Sequence, residues 1–596
     1  MDYYFLGDDS SMCVPKMKLE YRMYKKQPDN KQLKKILLPC QFEYFYAHHI
    51  HSLMKKIYIL STLLGLFFSE ANSQWGYFTG SFQSNTNFFV RDEKIGAANL
   101  PHYDNLKVGT DAWFNLNYNN EKFGLDLGVR LDLFYNSILR VPTTPYTAVG
   151  LGNFFVKKKV KDLTITGGYI YDQIGTGIIF RTYEERALGI DNALLGARVE
   201  YNVKDMLKVK AFAGVQKLKF SVRKPIIVGA NIEGNFSIKD KVTLVPGVGF
   251  MNRSMDKESM EAVVSTIEAY DTLGRFVPKF NTYAATIYNT LTAGNVTWYV
   301  EGAYKTSEAI KKDQIRDAKD TLINSAGNCV FSTLNYSQKG FGLTLQFKRT
   351  ENFYLHSSPN PTEALFDGII SFLPPVGRQN SLRLPSQYFA PSLENRELAF
   401  GAEATFSPNK KMTFTIQGSY IRDFILKKYN PTDTAFFGEA YIDAIFKPTK
   451  NMEVEVGFQY VRYNRFVYRK EGAHDVDAYT PFAEFKYKIN KKHSLRMELQ
   501  YQHVEKIFGQ WIYGLLEYNF APHFSIAVSD MWNFDPNPET NPYKNHYYSV
   551  FAGYTIGANR FTVSYVKQVE GIVCTGGVCR LEPAFSGVKI GINSTF

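Results

Sequence analysis

The sequence predicts an all-β fold: a single large antiparallel transmembrane β-barrel with short periplasmic turns and long extracellular loops. The expected count is about 24 strands, within a range of roughly 20–24 or slightly more. Three observations predict it. Apolar and polar residues alternate with period two along residues 74–596, the alternating segments are long, and the connectors between them alternate between short and long. Period two places successive side chains on opposite faces of a strand. A tilted membrane strand needs ~9–11 residues, whereas strands of soluble sheets cluster near ~5–6.

Composition agrees. The chain has 596 residues with 15% aromatic and 21% charged side chains. That is too apolar for a disordered chain. It also contains no succession of long apolar runs, which a polytopic helical membrane protein would need. The formal net charge of +12 is dispersed, with no basic run longer than Lys157-Lys158-Lys159. Nucleic acid is therefore not an expected partner.

Residues 1–53 lack periodicity and are expected to be a non-native or over-called N-terminal extension. Residues 54–73 have the form of a signal peptide: Met54-Lys55-Lys56, an apolar run from Ile57 to Phe68, and small residues at Ala71 and Ser73. Residues 74–596 are then the exported barrel, and the expected location is the outer membrane of a Gram-negative cell. Outer-membrane lipid is one expected partner, and the barrel-assembly machinery is another during biogenesis.

The strands read clearly in several places. In 124–133 (GLDLGVRLDL), Leu125, Leu127, Val129, Leu131 and Leu133 share one face, opposite Asp126, Arg130 and Asp132. In 452–460 (MEVEVGFQY), Glu453 and Glu455 oppose Val454 and Val456, and in 494–502 Arg496 and Glu498 oppose Leu495 and Met497. Glu301 and Glu403 have the same placement. Since a basic residue facing lipid at mid-depth costs roughly 2–4 kcal/mol, these charges are expected to face the lumen. They suit either a hydrated, selective interior or internal salt-bridge packing without conduction.

Short connectors are expected at Asn119-Asn120, 159–161, 203–205, 238–240, 337–339, 408–411, 448–451, 490–492, 520–522 and 557–559. Long ones are expected at 137–149, 172–192, 253–276, 307–326, 353–396, 465–475, 532–544 and 570–584. In the second long connector, Gly175-Thr176-Gly177 precedes Arg181, Glu184, Glu185, Arg186 and Asp191. These five are candidates for a constriction, or for an ion-pair network pinning an inward loop. No Lys-Ser/Thr follows the glycines, so the segment is not a phosphate loop.

The stretch DQIGTGIIFRTYEERALGIDNALLGARV (172–199) resembles a core motif of an outer-membrane barrel family of Bacteroidota that has no assigned activity. GYFTGSFQSNTNFF (76–89), LPPVGRQNSLRLPSQY (373–388) and EGIVCTGGVCRLEPAFSG (570–587) are similar to the same family. The resemblance implies the barrel and its compartment, and no reaction.

The longest connector, 353–396, carries six prolines and an apolar set that includes Leu365, Phe366, Ile369, Ile370, Phe372 and Leu373. An exposed apolar run is a liability. It is expected to fold into the barrel mouth or to bind a protein partner. Residues 253–276 carry the best helical period in the chain. Cys574 and Cys579 flank Gly576-Gly577, which permits a tight turn and a disulfide across it. A two-thiolate metal site would need further ligands, and none lies nearby. The last segment alternates and ends in Phe596, which resembles a barrel-assembly signal.

Catalytic motifs are missing: there is no Gly-x-Ser-x-Gly elbow, His-Glu-x-x-His or Cys-x-x-Cys pair. No enzyme activity, cofactor or metal is expected. The remaining classes are a passive channel for hydrophilic solutes and a scaffold barrel within a larger complex. Processing near Ser73/Gln74 is a direct prediction. Intact-mass analysis of protein isolated from outer membranes should give a chain starting there, and a mature chain retaining residues 1–53 would refute it.

Overall fold

A computed structural model describes residues 76–596, apart from 140, 142, 205, 240, 312–321, 359–367, 424–434, 470–474, 505–508, 537–543, 576–577 and the side chains of 572–581. The expected extension (1–53) and signal peptide (54–73) lie outside the described residues.

The chain forms a closed antiparallel barrel of 24 strands. The first eight are β1 Tyr77–Phe89, β2 Val108–Asn120, β3 Leu125–Ser137, β4 Tyr146–Val160, β5 Leu163–Ile170, β6 Leu194–Val203, β7 Leu207–Leu218 and β8 Ser221–Gly234. Next come β9 Val242–Ser254, β10 Asn281–Ala293, β11 Val296–Lys311, β12 Leu322–Gln338, β13 Phe341–Glu351, β14 Arg396–Asn409, β15 Met412–Arg422 and β16 Ala435–Thr449. The last eight are β17 Met452–Asn464, β18 Asp475–Lys488, β19 His493–Val504, β20 Gln510–Phe520, β21 Phe524–Asp535, β22 His546–Ile556, β23 Asn559–Gln568 and β24 Phe585–Thr595. Each strand pairs with its sequence neighbour, and β24 pairs with β1 from Gly587↔Phe89 to Thr595↔Ser81. Closure leaves no edge strand with unpaired backbone groups.

Alternation sorts the two faces. Leu499 is 61% exposed on the outside while Glu498, the next residue, is 7% exposed on the inside. Val129 and Leu131 point outward, and Arg130 and Asp132 are buried within the barrel. The same outward apolar set recurs at Ile287, Ile416, Ile442, Val456, Val528, Val550 and Val563.

Turns at the end where both termini of the barrel lie are short, as at 161–162, 339–340, 410–411 and 557–558. The opposite end carries the long connectors. Three expectations need correction. Asn119 and Asn120 are the last residues of β2, and the turn follows at 121–124. Asn120 stays in register because its backbone pairs with Leu125 and its side chain bonds the Tyr118 hydroxyl. Residues 90–107, between β1 and β2, form a further long connector. They fold inward, and Tyr103 donates a hydrogen bond to the Ala584 carbonyl. The β7–β8 connector at the long-loop end is only Lys219-Phe220. Lys219 takes a φ of 56°, which closes the hairpin in two residues, and Phe220 packs on Phe134.

The expected helix is present as α1, Lys257–Glu268. Asp256 caps it by accepting from the Ser259 N–H at 3.1 Å. Met260, Val263 and Ile267 form its buried face.

Backbone pairing sets Cys574 directly opposite Cys579 in a two-stranded ribbon, Gly571–Thr575 with Val578–Glu582. Their side chains lie outside the described residues. Directly opposed antiparallel positions sit ~4.5–5.5 Å apart at Cα, within the range a disulfide accepts. Peptide mapping without reductant should therefore recover both residues in one linked fragment; free thiols at both positions would rule the bridge out.

Candidate functional site

The candidates from the second long connector lie inside the barrel, where two connectors fold inward and meet. Residues 171–193 make two small ribbons, Gln173–Ile174 with Phe180–Arg181 and Glu184–Glu185 with Ile190–Asp191. Gly175 has φ +57°, and a Cβ there would lie 2.6 Å from the Glu301 carboxylate. The tight approach lets Glu301, fully buried on β11, accept from the Thr176 N–H at 2.9 Å and the Thr176 hydroxyl at 2.5 Å. Thr286 and Tyr299 hydroxyls complete its partners at 2.9 and 2.6 Å. Ile174, Ile178, Ile179 and Phe180 are buried in a cluster with Phe212, Ile227, Met251 and Phe331 on the barrel wall.

Arg130 is the hub of the charged side of this segment. It donates to Asp132 at 2.6 Å, Glu184 at 2.6 Å and Asp191 at 2.9 Å. Lys217 also pairs with Asp191. Arg186 pairs with Glu184 at 3.1 Å, donates to Gln83 on β1 at 2.9 Å and covers the Trp113 ring. Three of the five sequence candidates, Glu184, Arg186 and Asp191, thus converge on one network. The other two do not join it. Arg181 stacks between the rings of Phe372 and Tyr183, 4.0 and 4.6 Å from their centroids. Glu185 accepts from the Ala187 N–H and caps a single helical turn. Glu184, Arg186 and Asp191 thus tie the inward segment to the wall through ion pairs and hydrogen bonds.

The described part of 352–395 also folds inside. His356 pairs with Ile369 in an isolated bridge, and its Nε2 lies 3.1 Å from Glu394. The segment then joins the first: Arg181 N–H donates to the Ile370 carbonyl and Phe372 N–H to the Gly177 carbonyl. Ile370 and Leu373 enter the same apolar cluster. Leu365 and Phe366 lie outside the described residues. Further on, Lys348 on β13, paired with Glu397, donates to the Pro374 carbonyl at 2.7 Å. Arg378 reaches Glu403 at 3.0 Å and stacks on Tyr441. Leu384 N–H donates to Gln500 at 2.7 Å, and Leu384 packs with Tyr103, Trp511, Met531 and Phe585. The connector therefore runs from the β13–β14 wall to the β19–β21 wall. At the mouth, burial with no partner for either ring nitrogen pushes the His102 imidazole down to about 4, so it is neutral at pH 7.

The remaining lumen-facing candidates are paired along the wall. Asp126 meets Lys157 at 3.2 Å, and Glu453 bridges Lys447 at 3.0 Å and Lys486 at 3.2 Å. Arg496 links Glu484, Glu498 and Glu517. Glu455, Glu484, Lys486, Arg496, Arg378 and Tyr441 line a polar cavity beneath the second connector. Sequence reasoning missed Glu484, because Phe482 shares its inward face and blurs the alternation of β18. It also missed Glu439 and Asp443, whose spacing in β16 was a readable signal, and the buried set Arg253, Lys305 and Glu308. That last set sits at a register shift between Lys305 and Glu308, which period two does not anticipate.

Phe596 lies at the seam of the barrel. Its backbone exchanges hydrogen bonds with Gly80, and its ring occupies the space a Cβ on Gly80 would fill, stacked on Phe114.

A family model described as a family of unknown function (DUF6029) matches residues 54–596. No curated protein matches the chain. Among solved structures, the chain is similar to the P pilus usher PapC translocation pore at 9% identity and a TM-score of 0.43, covering 87% of this chain and 99% of that one. The siderophore receptor PirA of Pseudomonas aeruginosa matches at 10% identity and TM-score 0.39, over 88% of this chain and 81% of that one. OccK5 of the same organism matches at 11% and 0.34, over 72% and 98%.

Removing the Arg130 cation leaves the buried Asp132 without its ion-pair partner and takes from Glu184 and Asp191 one of the two cations each of them meets. Arg130→Met should destabilise the folded protein by about 3–5 kcal/mol. Arg462→Met, which breaks a half-exposed pair with Asp475, should cost no more than ~1 kcal/mol. Urea midpoints in detergent micelles compare the two.

Proposed function

The chain belongs to DUF6029, a family of unknown function, and from that starting point we propose that it is a non-catalytic outer-membrane barrel of a Gram-negative cell. In this reading it is a passive, porin-like channel for hydrophilic solutes. The observation that carries it is the sorting of the wall. Large apolar side chains line the outside, while ionised and hydrogen-bonding side chains line the inside and border a polar cavity. Such a wall suits lipid on one side and water on the other. Phe596, exposed at the β1–β24 seam, suits a handle for assembly machinery during insertion.

Two features bear on conduction. A barrel of about 22 strands or more is wide enough to need a plug or filling segment, and here residues 171–193 and the described part of 352–395 supply it. The cavity charges Arg378, Lys486 and Arg496 face Glu455 and Glu484, so the passage is mixed in sign. A second reading, a scaffold barrel with no transport activity, is favoured by the apolar clusters that join the inner segments to the wall at the loop end.

Planar-bilayer recording of purified protein separates the two. The channel reading expects discrete conductance steps, with Arg378→Glu shifting selectivity toward cations. Current should also rise in Arg130→Met, where the inner segment loses its main anchor. Silent bilayers for the parent and both variants, with correct insertion verified by protease protection, would overturn it in favour of the scaffold.

A further inference from the structure

Among the described residues, the barrel carries a strongly exposed apolar surface outside its belt. It lies in the connector between β9 and β10, just after α1. The side of the wall on which α1 sits follows from the alternation of β11. Tyr304 points outward and is 57% exposed, while Lys305 and Glu308 point inward on either side of the register shift and form an ion pair. Ala309 then points outward, and Leu322, paired opposite Lys311, points the same way. Both are nonetheless buried, in one cluster with Met260, Val263 and Ile267 of α1. The helix therefore packs on the outer surface of the β11–β12 hairpin, at its loop end.

The chain returns from α1 to β10 along that outer surface. Arg275 ties it down by donating to the Glu268 and Tyr270 carbonyls at the end of α1, and Phe276 packs into the α1 cluster. Leu273 and Val277 are left fully open, at 101% and 86% exposure. Phe280 follows, and two residues into β10 Tyr283 stacks on Phe250, both outward-facing members of the apolar belt. The apolar surface is thus continuous from the belt through Phe280 to Val277 and Leu273, with exposed Lys279 among them.

We propose that residues 271–280 are an interfacial anchor that seats Leu273 and Val277 in the acyl-chain region of the adjacent leaflet and directs Lys279 to phosphate-bearing lipid headgroups. The inference rests on the membrane reading given above. Continuity with the belt selects lipid as the occupant, and the apolar, aromatic and basic mixture matches segments that lie in a membrane interface. A polar headgroup layer accommodates the lysine ammonium while its stem lies along apolar surface.

Tryptophan scanning in proteoliposomes tests it, read as the increment over the parent protein. Leu273→Trp is compared with Ile287→Trp in the belt, using phosphatidylglycerol-containing vesicles with lipids brominated either near the headgroup or near the chain end. The expected result is loss of the position-273 signal with shallow bromines and less loss with deep ones. Adding Lys279→Gln should weaken the shallow quenching. Quenching at 287 but none at 273, with 273 reached by aqueous iodide, overturns the anchor and leaves the barrel reading intact. Shielding of 273 from both iodide and bromolipid shows a protein surface or second copy there, and also overturns it. Absence of quenching at 287 as well refutes the membrane reading itself.

Discussion

Closure between β24 and β1 is the constraint from which the rest of the structure follows. In a lipid layer each unpaired backbone group costs several kcal/mol, so a sheet must either end in a protected edge or return to its first strand. The 24 strands return. Once they do, every residue is committed to one of two environments, and a shift of one residue would exchange them along a whole strand. The even strand number puts both ends of the barrel at the short-turn side, where Phe596 meets Gly80.

Closure at this size creates the second problem, an interior too wide for wall side chains to fill. The protein fills it with its own connectors. Each inward segment is held in two ways. Apolar residues such as Phe180, Ile370 and Leu384 are buried against apolar patches on the inner wall, and charged residues are fixed by partners from distant strands. Arg130 illustrates the second. It takes a carboxylate from its own strand and two from the inner segment, so the segment has one seat. Taking such ions out of water has a large desolvation cost, and their value lies in specifying one arrangement as much as in net stability.

That same economy of partners shapes the functional reading. Wall charges that suited either a hydrated, selective interior or internal salt-bridge packing are tied into pairs and triads, as Arg496 is with Glu484, Glu498 and Glu517. A paired wall presents small local fields of both signs, which suits a mixed hydrophilic passage better than a strongly selective one. The apolar clusters at the loop end act in the opposite direction, toward a closed mouth. In the proposed channel reading, conduction turns on whether the inner segments stay seated.

The architecture was legible because period-two alternation is a local property: Val129, Arg130, Leu131 and Asp132 declare their faces without reference to any other strand. Most of the connector phase, α1 and the need to bury Ile370 and Leu373 were readable from equally local patterns, but the two-residue β7–β8 connector broke the phase. What sequence did not determine was which partner each inward group would meet. Glu184 and Asp191 converge on Arg130, some 54 and 61 positions away in the chain, while Arg181, only three residues from Glu184, turns to Phe372 instead. Glu484 was hidden by an inward phenylalanine, and the Arg253–Glu308 pair by a shift of register. Faces are set by the geometry of one strand, so sequence alone determined them. Partners are set by how 24 strands close and which connectors then fit inside, and only the tertiary structure decided that.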